Sequence, residues 1–173
     1  MKDALRLPEE FAASILERAR AVDRVIGYDQ ALALRLSQEE LSLLREAEAA
    51  SERRLHKGHA LHNIGVSLYL SAPVEARLFF AAAHVEDVRL CPRRRSRQWV
   101  YLAERVLRSV YRVDSDALSR LARLARPSPR RDPVAVAAEW TDDQPPTWQP
   151  FLVEQFNIGP VTTPEADLKA ALN

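Results

Sequence analysis

Residues 57–92, KGHALHNIGVSLYLSAPVEARLFFAAAHVEDVRLCP, read as two short antiparallel helices joined by Ser71-Ala72. The first covers 59–70. The second covers 73–90 and opens on Pro73, at a position where a missing amide costs nothing. Gly65 stands where the two backbones must come close. Ala76, Phe80 and Ala83 follow at intervals of four and three, which puts them on one side of the second helix. No period-two alternation of apolar residues interrupts the stretch, so it sets an all-α class built of antiparallel helical hairpins.

The flanking sequence agrees with that class. Leu7-Pro8-Glu9-Glu10 opens a helix with its acids at the positive end; Phe11, Ile15, Leu16, Val22 and Ile26 give it an apolar face, and Gly27 stops it. A short helical segment at 29–36 leads to Ser37 and Glu40, whose spacing predicts a capping box and the start of a long helix running to an interruption at Gly58. Beyond the hairpin, helices are predicted at 95–111, with Trp99, Leu102, Val106, Leu107 and Val110 inward, and at 114–125, capped by Asp114 or Ser115. Eight of the eleven prolines lie after Ala125, which predicts an extended, proline-rich C-terminal tail over 126–160 and a last short helical turn at 163–172. The chain thus divides into a helical domain, 1–125, and a tail, 126–173. Trp140, Trp148 and Phe151 are unlike a free linker, so the tail is expected to dock on the domain or on a partner.

The order glycine, then alanine, aromatic and alanine, then a closing proline at Pro92 resembles a tetratricopeptide-repeat hairpin with a shortened turn, over about residues 57–92. The resemblance implies a non-catalytic interaction module or adaptor with no cofactor, whose partner is another protein of the same operon or complex. It would place His59, His62, Val66 and Tyr69 on a concave, partner-binding face. The carboxylate-clamping variety of the family has lysine and asparagine where this chain has His62 and Val66, so that chaperone-type activity is not expected.

Two other functions compete. Arg54 and His59 have the spacing of the arginine and histidine in HEPN-class ribonucleases, which would act without metal as a nuclease or toxin, arginine steadying the scissile phosphate and histidine moving the proton. Arg93, Arg94, Arg95 and Arg97, ahead of Trp99, could grip phosphates and make the chain a small nucleic-acid-binding regulator of a bacterial defence or toxin system. The formal charge of +1 over 173 residues argues against a dedicated nucleic-acid binder.

His56, His59 and His62 recur every third residue, with His84, Glu86 and Asp87 in the next helix. No established two-histidine metal motif is formed and Gly58 bends the run, so no metal is expected. The sole cysteine, Cys91, rules out an internal disulfide and reads as structural. A reduced thiol, an N-terminus without an apolar signal and the lack of any membrane-length apolar run together predict a cytoplasmic protein.

Overall fold

The computed structural model describes residues 6–91, 101–127 and 130–142. These form seven helices and no strand: α1 (Glu9–Val25), α2 (Gln30–Ser51), α3 (Gly58–Leu68), α4 (Pro73–Leu90), α5 (Leu102–Ser109), α6 (Ser115–Ala125) and α7 (Pro133–Asp142). The fold is all-α. Among the described residues no helix is long and apolar enough to cross a membrane.

α1 starts after Pro8, carries Glu9 and Glu10 in its first turn and buries Ile15 and Val22. Gly27, at φ 91°, takes the left-handed conformation that turns the chain toward α2. α2 is one continuous helix from Gln30, capped by Asp29, whose Oδ1 accepts from Leu32 N at 2.9 Å. The expected break and capping box at Ser37 and Glu40 do not form. Ser37 lies in mid-helix and satisfies its hydroxyl by donating to Ala33 O at 2.8 Å, which leaves Glu40 free to serve another element. The helix ends at Ser51, with Glu52 left-handed at φ 54°, so Gly58 opens the next helix instead of interrupting this one.

The hairpin lies where the sequence predicts it. α3 and α4 pair along their length, and a Cβ built on Gly65 would come within 3.0 Å of three atoms of the Phe80 ring. That close approach explains the glycine. α3 is covered on its other side by α2 and touches α1, while α4 meets α5, α6 and α7. These two helices form the centre of the molecule.

Asp114 caps α6 by accepting from Ala117 N at 2.7 Å. The described part of the helix expected at 95–111 is α5. The tail, expected to be extended over 126–160, contains α7. Pro133 occupies its first position, where no amide is needed, and no proline follows before Asp142, so the density of prolines did not prevent a helix here. Val136, Ala137 and Trp140 bury one face of α7 in the common core. The Trp140 indole donates to Ala117 O at 2.9 Å, and the Arg77 guanidinium lies over its ring at 4.7 Å.

Candidate functional site

Several buried polar side chains gather at one end of the central hairpin, where the chain enters α3 and leaves α4. The 52–57 connection is held there by two carboxylates. Glu86, on α4 and fully buried, accepts from Arg54 Nη2 at 2.8 Å and from the backbone N–H of Lys57 at 3.2 Å. Glu48, on α2, accepts from Lys57 Nζ at 2.9 and 2.8 Å and from Leu55 N at 3.0 Å. Lys57 and Glu86 are both buried, with Lys57 Nζ 3.8 Å from Glu86 Oε2 and 2.8 Å from Glu48 Oε2.

Pinning this loop sets His56 against α4. Its Nε2 lies 2.8 Å from Asp87 Oδ1, and Asp87 Oδ2 accepts from Tyr101 N at 3.0 Å, so one carboxylate joins the 52–57 loop to the start of α5. A side chain on Gly58 would overlap the His56 ring and approach Asp87 Oδ1 to 3.3 Å, which is why this position is glycine. Cys91, buried at the end of α4, completes a group with His56 and Asp87 in which one ligand-capable atom from each residue lies within 4.8 Å of the others. Burial would lower the His56 pKa, but the hydrogen bonds to Asp87 and Cys91 outweigh it and raise it to about 9.

In the first turn of α3, His59 presents Nδ1 to Glu40 at 2.9 Å and Nε2 to Asp23 at 3.4 Å, with the Asn63 amide 3.1 Å from Nε2. Burial opposes protonation here too, yet Asp23 and Glu40 together lift the pKa to about 10. His62 differs. It is 8 % exposed, meets the Phe80 ring edge-on at 5.2 Å, and among the described residues neither ring nitrogen has a hydrogen-bond partner. Burial, with the His59 charge nearby, depresses its pKa to about 3 and keeps it neutral.

These side chains line a half-enclosed cavity of about 80 Å³, walled by His56, Gly58, His59, His62 and Asp87 and closed on the apolar side by Ala83, Leu102 and Ala103. The cavity brings together His59 and His62 from the expected partner-binding set. Val66 and Tyr69 are 6 % and 2 % exposed and face the core, Tyr69 edge-on to Tyr111 at 6.1 Å, so they do not line an open groove. Having α2 against α3 is the reason. Trp140, expected as an anchor for a partner, is 1 % exposed and already occupied by α6 and Arg77. Trp148, Phe151, Arg93, Arg94, Arg95 and Arg97 lie outside the described residues.

Arg54 and His59 are each matched to carboxylates on different elements, Arg54 to Glu48 and Glu86 and His59 to Asp23 and Glu40. Sequence reasoning missed Glu40, Asn63 and Cys91. Glu40 looked like a cap and Cys91 like inert packing. The one available signal was that Cys91 follows Asp87 by four residues, one helical turn on the same face.

No protein-family model, curated protein or solved structure matches the chain. The cavity's own chemistry therefore carries the functional argument.

Proposed function

We propose that the protein acts through the cavity at the head of α3, where it binds a small oxygen-bearing group, a carboxylate or phosphate terminus, through the neutral imidazole of His62. The observation that carries this reading is His62 itself, a buried ring on the wall of a cavity with both nitrogens unpaired among the described residues. Leaving a buried polar atom unpaired costs about 1–3 kcal/mol, a cost that a ligand supplying the missing partner removes. A pKa near 3 makes His62 a poor general base at neutral pH, so the reading is recognition and not proton transfer.

Thermal melting of the intact chain with formate, acetate and inorganic phosphate tests it. At least one probe should raise Tm in the wild type and leave His62→Phe unmoved; a wild-type Tm indifferent to all three overturns the reading.

Protein recognition is a second reading, supported at a different place from the one the tetratricopeptide resemblance implies. Tyr28 is 92 % exposed in the α1–α2 turn and Leu16 is 46 % exposed on α1. An exposed aromatic next to a charged helix face suits an adaptor contact with another protein. The ribonuclease alternative loses support, because both of its residues already have their charge matched by carboxylates and neither offers a free cation to a phosphate.

A further inference from the structure

We propose that His56, Asp87 and Cys91 form a three-ligand site for a divalent zinc-class cation beside the cavity. The ligand set is an imidazole nitrogen, a carboxylate oxygen and a thiol sulfur, which is the mixture that zinc accepts and that hard cations such as calcium and magnesium do not. The three residues come from the 52–57 loop and from α4, one helical turn apart on the latter, and all three are buried. In a tetrahedral zinc site with bonds of 2.0–2.3 Å, ligand atoms stand roughly 3.4 Å apart. The observed His56–Asp87 separation of 2.8 Å needs to widen by only about half an ångström, from a hydrogen bond to two metal bonds. Asp87 also accepts from Tyr101 N, which orients its carboxylate as an outer hydrogen bond does in zinc sites.

Gly58 is the independent sign that the space is reserved. Any side chain there would strike the His56 ring, so the chain gives up helix propensity at the start of α3 to keep the imidazole beside Asp87. Three protein ligands leave a fourth position. Because His56 and Asp87 line the cavity and Cys91 does not, that position faces the cavity and His62. The inference rests on the cavity reading only at this point, where the bound oxygen would meet the metal on one side and His62 on the other. On binding, the Cys91 thiol and the His56 imidazolium each lose a proton to solvent, and the thiolate sulfur and the freed imidazole nitrogen become ligands.

The test is cobalt(II) titration of the full chain, prepared metal-free in a non-thiol reductant and followed by absorption. Expected are one equivalent bound per chain, a thiolate-to-cobalt charge-transfer band and the intense visible bands of four-coordinate cobalt. Cys91 is the sole cysteine, so the charge-transfer band can come only from it. Cys91→Ser, a one-atom change, should abolish that band, and His56→Ala should weaken cobalt and zinc affinity roughly a hundredfold. A wild-type chain without the band overturns the site without recourse to any variant, and so does a band undiminished in His56→Ala and Asp87→Asn. Azide added to the cobalt form should shift the visible bands; unshifted bands overturn the open fourth position. A chain that shows no cobalt band but keeps a His62-dependent melting shift loses the metal site and keeps the cavity reading, and the opposite pattern does the reverse.

Discussion

The two ends of the α3–α4 hairpin are built from the same pair of helices by opposite means. Near the turn, Gly65 lies under Phe80, Tyr69 and Phe80 both approach Tyr111 at about 6 Å, and the Tyr111 hydroxyl donates to Pro73 O at 2.9 Å. This end is close-packed and held by apolar burial and ring contacts. At the other end the same helices and the 52–57 loop bring together Lys57, His56, His59, His62, Glu86 and Asp87, nearly all withdrawn from water, beside a cavity that His56, His59, His62 and Asp87 line. The packed end holds the helices together, which lets the polar end keep a void and an unpaired imidazole that a free-standing helix pair could not sustain.

Deleting the packed end should have the largest effect. Phe80→Ala is expected to destabilise the fold by about 3–5 kcal/mol, read by chemical denaturation, because it leaves a void against Gly65 and Tyr111. A loss under 1 kcal/mol would break the contrast between the two ends. Glu86→Ala at the polar end should cost less, about 3 kcal/mol, since it removes the buried carboxylate that accepts from Arg54 and from the Lys57 backbone, leaving Glu48 alone to face both cations and loosening the 52–57 loop. It should also reduce cobalt binding, whereas Phe80→Ala, in whatever fraction remains folded, should not.

The smallest effect is expected from pH. His59 is held above its ordinary pKa by Glu40 of α2 and Asp23 of α1, with neutral His62 on its own helix. Folding therefore favours the protonated ring. Its contribution is complete below the unfolded value of 6.5 and is lost as pH rises through about 10. The stability difference between wild type and His59→Gln should shrink over that range, and a difference that grows with pH would show that Glu40 and Asp23 do not hold a cation. The ring is partly open to water, so the effect is modest.

Much of the fold was legible because its signals are local. Pro8, Asp114 and Pro73 mark helix starts through amides that are absent or capped within a few residues, and Gly65 and Phe80 declared their crossing through size alone. The misreadings arose where a residue had two local uses. Ser37 and Glu40 carry the spacing of a capping box, but Asp29 had already started the helix and Glu40 was claimed by His59. Pro133 belongs to a proline-rich run, yet at the first position of α7 it favours the helix it was expected to prevent.

The site was less legible. Three histidines at intervals of three were visible, but their chemistry is set by partners on other helices. His56 meets Asp87 across 31 positions and is raised, His59 meets Glu40 across 19 and is raised, and His62, with no hydrogen-bond partner among the described residues, is lowered by burial. Identical side chains on one short stretch thus acquire two different charge states, His56 and His59 cationic and His62 neutral. By itself the sequence determined the helical class, the hairpin and its glycine crossing, because periodicity, capping and side-chain size act within a few residues. Only the tertiary structure decided that His56, Asp87 and Cys91 converge, that Trp140 turns inward and that His62 is left unpaired, because those outcomes depend on which distant helix supplies a carboxylate and which withholds water.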